Sequence, residues 1–125
     1  MAAARNMYAQ YRNSEVLTAT PGELVLKLYE GTIRFCNQAK DAIDRGDVQG
    51  AHTNLLKAQR IIDHLLATLD RSYEVSKDFD NIYQYLLDAL MIVNVNKDRE
   101  LLESVIANLR LVRDNWKEVI ATANQ

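Results

Sequence analysis

From Pro21 onward this chain contains almost nothing that must stop a helix. Pro21 is its only proline, and it sits where a proline helps: Thr20 before it and Glu23 after it complete a helix start. A threonine oxygen accepts from the backbone N–H three residues on, proline fixes φ where no donor is needed, and the glutamate reaches back. The four glycines, Gly22, Gly31, Gly46 and Gly50, are isolated, and 48% of the residues are apolar, an ordinary share for a soluble domain. Such a sequence is mainly helix, and its fold is decided by how the helices pair.

Four stripes at steps of three and four define them. Val25, Leu28, Thr32, Cys36 (or Phe35), Ala39 and Ile43 predict a helix from Pro21 to about Arg45, ended by a left-handed Gly46. Asp47 follows as the next N-cap. Val48, Ala51, Leu55, Ala58, Ile62, Leu65 and Leu69 then give an unbroken bundle seam over about 48–69. Ser76 or Asp78 is the expected cap of a third helix over about 77–95, with Phe79, Ile82, Tyr83, Leu86, Leu90 and Val93 inward and Asp80, Asn81, Gln84 and Asp88 on the wet side. Asn96 closes it, and Asp98 caps a fourth helix over about 99–122, whose seam is Leu102, Val105, Leu109, Val112, Trp116 and Val119. Short connections make antiparallel neighbours. The expected fold class is therefore all-α: a single-domain antiparallel up-and-down four-helix bundle over 20–125, with residues 1–19 as a loose N-terminal arm or short capping helix.

Several functions are disfavoured. A net charge of −2 and a pI near 5.6, with cations and acids interleaved, do not make the basic stripe that grips nucleic acid. No run of about 18 apolar residues offers membrane insertion, and the start MAAARNMYAQYR is not a secretory signal. The lone Cys36 reads as a small core residue, in keeping with a reducing cytoplasm. A di-iron bundle needs Glu-x-x-His pairs, whereas His52 follows Gln49 and His64 follows Ile61 at that spacing. Neither a phosphate-cradling glycine loop nor a haem motif is present. Asp63, Asp70 and Asp88 read as solvated carboxylates. The expectation is no catalytic residue, no metal and no cofactor.

What stands out instead is surplus apolar surface. Eleven of the fourteen residues from Ile82 to Val95 are apolar by type, and a helix apolar around most of its circumference in a small bundle presents surface to another chain. A second stripe of Tyr85, Ala89 and Ile92 lies beside the core stripe. Leu56, Ile61 and Leu66 likewise widen helix two beyond its seam, either to complete the core or to meet a partner. Candidate partner-binding residues are thus Leu56, Ile61, Leu66, Tyr85, Leu87, Met91 and Ile92, together with Tyr8, Tyr11, Val16 and Leu17 of the arm. Tyr29 and Tyr83, near their stripes, are expected in the core.

Six pieces of the sequence, in order, carry a resemblance. They are Tyr8-x-x-Tyr11, the stretch Val16-Leu17-Thr18-Ala19-Thr20-Pro21-Gly22-Glu23-Leu24, then Leu28-Tyr29-Glu30-Gly31, Lys57-Ala58-Gln59-x-Ile61-Ile62 running to Thr68-Leu69-Asp70, Tyr83-x-Tyr85, and Arg113-x-x-Trp116-Lys117-Glu118. Together they resemble the flagellin-specific export chaperones called FliS. Asp88-Ala89 and Val93-Asn94 stand where that family commonly has paired arginines and Ala-Asn. The resemblance implies a bundle in the bacterial cytosol that binds the disordered C-terminal segment of flagellin, keeps it from polymerising and holds it ready for flagellar type III export, with the export apparatus as a further partner. Two other classes compete with it: a homo-oligomeric helical scaffold or adaptor that dimerises through the surplus apolar face, and a phosphotransfer bundle using His52 or His64, neither of which has the supporting lysine a turn away.

Overall fold

The computed structural model describes residues 21–123 of the chain. They form four helices: α1 Pro21–Asp44, α2 Val48–Ala67, α3 Ser76–Asn96 and α4 Arg99–Ala123. Each packs on its neighbours in the order α1, α2, α3, α4 and back to α1, with α1 against α2 the closest pair and α3 against α4 the loosest. This is the antiparallel up-and-down bundle expected from the stripes.

Local chemistry sets the turns. Gly46 takes φ +74° and has no atom near the place of a Cβ, so the requirement there is purely backbone. Asp47 Oδ1 accepts from Gly50 N at 2.9 Å and caps α2. Asp98 Oδ1 accepts from Leu101 N at 3.0 Å and caps α4. Three boundaries differ from expectation. α2 stops at Ala67: the Thr68 N–H still bonds the His64 carbonyl, but the Leu69 N–H reaches only the Leu66 carbonyl three residues back, and Leu69 packs from the loop. Neither Ser76 nor Asp78 caps α3; Val75 occupies that place without a side-chain bond, and Ser76 is buried inside the first turn. The left-handed residue that ends α3 is Lys97 at φ 50°, one past Asn96.

The core runs the length of the bundle, from Ala39, Ala51, Val93 and Leu102 at one end through Cys36, Leu55, Leu90 and Val105 to Tyr29, Leu65, Tyr83 and Leu109. Cys36 is fully buried, and burial pushes its thiol up to about 12, which suits packing and not reaction. Two seam residues are exceptions: Val48, the first residue of α2, is 63% exposed, and Val119, near the end of α4, is 53% exposed. Asp80 also departs from the wet side: it is half-buried, one oxygen bonded to Arg71 at 3.1 Å and the other buried without a hydrogen bond.

Candidate functional site: apolar grooves around helix α3 and a cleft at one end of the bundle

All the exposed large apolar residues of the described chain lie on α2, α3, α4 or the α2–α3 loop; α1 has none. On α3 the helix turn sorts them. At 100° per residue, Asn94 and Met91 share one edge with Leu87, while Tyr85 and Ile92 share the opposite edge with Ala89. Asn94 is hydrogen-bonded to His52 of α2 at 2.9 Å, so its edge faces α2 and the other faces α4. Two grooves therefore flank α3.

The α2–α3 groove is bordered by Leu56 and Leu66 of α2 and by Leu87 and Met91 of α3. The His52–Asn94 bond sets an antiparallel register that puts Leu56 level with Met91. Leu66 and Leu87 are half-buried against the core, Leu56 is half-buried, and Met91 is 57% exposed. The α3–α4 groove holds Tyr85, 48% exposed, and Ile92, 51% exposed. Here the register is fixed by Phe79 and Trp116, whose ring centroids are 6.1 Å apart. Six residues further along α3, Tyr85 is level with Leu111 of α4, a residue 61% exposed. Sequence reading missed Leu111, because it lies outside the α4 seam.

Ile61 does not join these residues. It lies over Gly31 of α1, where a Cβ would sit 3.4 Å from Ile61 Cδ1, so it belongs to the α1–α2 contact. Tyr8, Tyr11, Val16 and Leu17 lie outside the described residues.

A third apolar feature is a cleft of about 700 Å³ at the end of the bundle where α1 begins and α4 finishes. Val25 and Tyr29 line it from α1, Leu65 from α2, Leu69, Tyr73 and Val75 from the following loop, Phe79 and Tyr83 from α3, and Trp116, Val119 and Ile120 from α4. Its floor is aromatic. Trp116 stands edge-on to both Tyr29 and Phe79, at centroid distances of 6.4 and 6.1 Å. The Trp116 indole N–H donates to the Gly22 carbonyl at 2.8 Å, and Gly22 has no room for a side chain to spare, since a Cβ would lie 3.2 Å from Ile120 Cγ1. The Tyr29 and Tyr83 hydroxyls meet at 2.6 Å across the bundle diagonal. Burial raises the pKa of Tyr29 strongly, its bond with Tyr83 adding to the rise. Burial also raises that of Tyr83, with the bond from Tyr29 opposing.

The chain matches the model of the family described as flagellar protein FliS over residues 4–123. This protein belongs to the FliS family. It is 39% identical over 118 residues to the flagellar secretion chaperone FliS of Bacillus subtilis, covering 94% of this chain and 89% of that protein. It is 30% identical over 121 residues to the flagellar secretion chaperone FliS of Salmonella typhimurium, covering 94% and 90%. A solved structure described as a flagellar chaperone from bacteria superposes with a TM-score of 0.78 at 14% identity, over 95% of this chain and 98% of that one, a likeness of fold. For this FliS protein, the family thus agrees with the resemblance drawn from its own motifs, and the bundle agrees with the helix stripes.

Among the described residues no group of three or more His, Cys, Asp or Glu is placed to hold a metal ion, and no helix is long and apolar enough to cross a membrane. His64 is exposed and His52 is held by Asn94. The chemistry this arrangement offers is the burial of a partner's apolar side chains.

Proposed function

We propose that this FliS protein is a cytosolic export chaperone that binds the disordered C-terminal segment of flagellin, prevents its premature polymerisation and keeps it competent for flagellar type III export. The observation that carries this reading is the pair of apolar grooves flanking α3. Each runs between two antiparallel helices and is edged by exposed apolar side chains, a setting that receives amphipathic helices laid along a bundle. Leu56, Leu87 and Met91 anchor one client helix and Tyr85, Ile92 and Leu111 another. The chain acts by binding, in line with relatives that are named chaperones.

Ordering a disordered client costs several kcal/mol, so wrapping around α3 is needed to offset it, and affinity per unit area stays modest enough for release. We propose further that residues 8–17, with Tyr8, Tyr11, Val16 and Leu17, shield an apolar part of the bundle when no client is present. The support is positional: Pro21, to which this segment leads, lines the end cleft. A protein lacking residues 1–17 should then be less soluble, with client affinity equal or tighter; weaker binding would place the segment on the client instead.

The deciding experiment is a calorimetric titration with a peptide covering about the last forty residues of the organism's own flagellin, followed by circular dichroism. One-to-one binding with a negative heat-capacity change and gained helix supports coupled folding onto the bundle. An absence of binding at high peptide concentration sinks the reading and leaves self-association through α3, testable by light scattering against concentration.

A further inference from the structure

The side of the bundle opposite the α3–α4 groove, formed by α1 and α2, carries a feature that client binding does not use. Phe35 of α1 is half-buried beside α2, and two cations converge on its ring. Arg34 Cζ and Lys57 Nζ each lie 5.4 Å from the ring centroid. The Arg34 guanidinium also reaches back over Gly31: Nη2 would lie 3.8 Å from a Cβ there, next to Ile61 Cδ1 at 3.4 Å. Glycine at this position leaves room under the guanidinium, and any larger residue would fill it.

Neither cation has an ion-pair partner among the described residues. Glu30 stands four residues before Arg34, the ordinary spacing for a helical ion pair, yet the guanidinium turns to the ring instead. Both cations are exposed to solvent, so together they offer an accessible positive spot beside an apolar ring, with no carboxylate of the described residues already occupying it. Arg34 supplies a planar fork suited to a carboxylate, Lys57 a point charge, and Phe35 with Ile61 an apolar wall beside them.

We propose that the α1–α2 groove is a second docking site, for an acidic peptide segment of another protein, in which a carboxylate is held by Arg34 and Lys57 while a neighbouring apolar side chain packs on Phe35 and Ile61. Charge complementarity fixes the occupant's chemistry. The net charge of −2 and the nearby Glu30 and Asp41 disfavour a long polyanion such as nucleic acid, so the ligand is short and locally acidic. The first twenty residues of this chain carry two arginines and one glutamate, so they do not supply it. Because this groove and the grooves at α3 lie on different sides, a bound client leaves it open, and an acidic partner can engage the loaded complex.

The test uses the full-length protein and a fluorescein-labelled peptide of Glu-Glu-Leu-Phe repeats, with its Gln-for-Glu counterpart as control, read by fluorescence anisotropy at low and high salt. The acidic peptide should bind at least about tenfold tighter than the control and lose that margin at high salt. Arg34→Gln with Lys57→Gln should remove it while leaving the helical melt and the flagellin-peptide titration unchanged. Client-saturated protein should bind the acidic peptide as well as free protein does. The proposal is overturned if the acidic peptide fails to bind at low salt, if both peptides bind alike, if the double variant binds normally, or if the flagellin peptide displaces the probe. A change in oligomeric state of the double variant would also overturn it, assigning the face to a second copy of the chain. A failed client titration with retained acidic-peptide binding would refute the chaperone reading alone.

Discussion

Ile92→Ala separates the two roles of helix α3, because Ile92 divides almost evenly between them. Fully burying an isoleucine side chain contributes about 1.5–3 kcal/mol, and 51% of this residue is exposed. The buried half supports the fold and the exposed half is what a client can cover, each about 1 kcal/mol. Truncation should therefore lower the unfolding free energy by about 1 kcal/mol, a fall in Tm of about 4 °C. It should weaken the flagellin peptide about fivefold, since 1.4 kcal/mol is tenfold in Kd. Leu90, two residues earlier on the core-facing side of the same helix and fully buried, is the control. Leu90→Ala should cost about 2–5 kcal/mol of stability and leave the Kd unchanged at temperatures where the variant is folded. Melts followed by circular dichroism and titration calorimetry measure both. An Ile92→Ala protein with unaltered Kd, beside a Leu90→Ala protein that binds poorly while folded, would refute the assignment of the client to α3.

Three further outcomes follow from the geometry. Trp116→Phe keeps a ring over Tyr29 and Phe79 but removes the donor to the Gly22 carbonyl, so urea melts should show a loss of about 1 kcal/mol. Gly46→Ala meets no atom, and only the positive φ resists it; a loss of about 1 kcal/mol is expected, and Gly46→Asn should restore part of it. Tyr29 and Tyr83 both hold their protons more tightly folded than unfolded, so their contribution is fully present below about pH 10, where unfolded tyrosine ionises, and is lost as pH rises beyond it. The urea midpoint should be flat between about pH 7 and 9 and fall above 10, and Tyr29→Phe should flatten that fall.

The bundle was legible in the sequence because each helix carries an unbroken three-four stripe and each short turn carries its own capping residue, as Gly46, Asp47 and Asp98 show. Tyr85, Met91 and Ile92 were legible as exposed for a related reason: on a helix apolar nearly all round, the residues beyond the core stripe must face outward. The end cleft was not. Tyr29, Phe79 and Trp116 come from three helices, and nothing in one dimension says that their rings meet. Ile61, like Leu56 and Leu66, lies outside the strict seam, and its contact over Gly31 on the adjacent helix shows which neighbour it takes. Val48 and Val119 follow their seams in sequence, but Val48 begins its helix and Val119 borders the end cleft, and neither position is visible in a periodic pattern.

Trp116 is the only tryptophan in the protein, and it forms part of the wall of the end cleft. The molecule therefore carries its own optical probe at one pole. A segment entering the cleft displaces water from the indole and shifts its emission toward the blue, whereas a ligand bound along the distant half of α1 and α2 leaves the spectrum alone. The unlabelled protein can thus report, by intrinsic fluorescence, whether a newcomer has reached the pole or stopped on the flank.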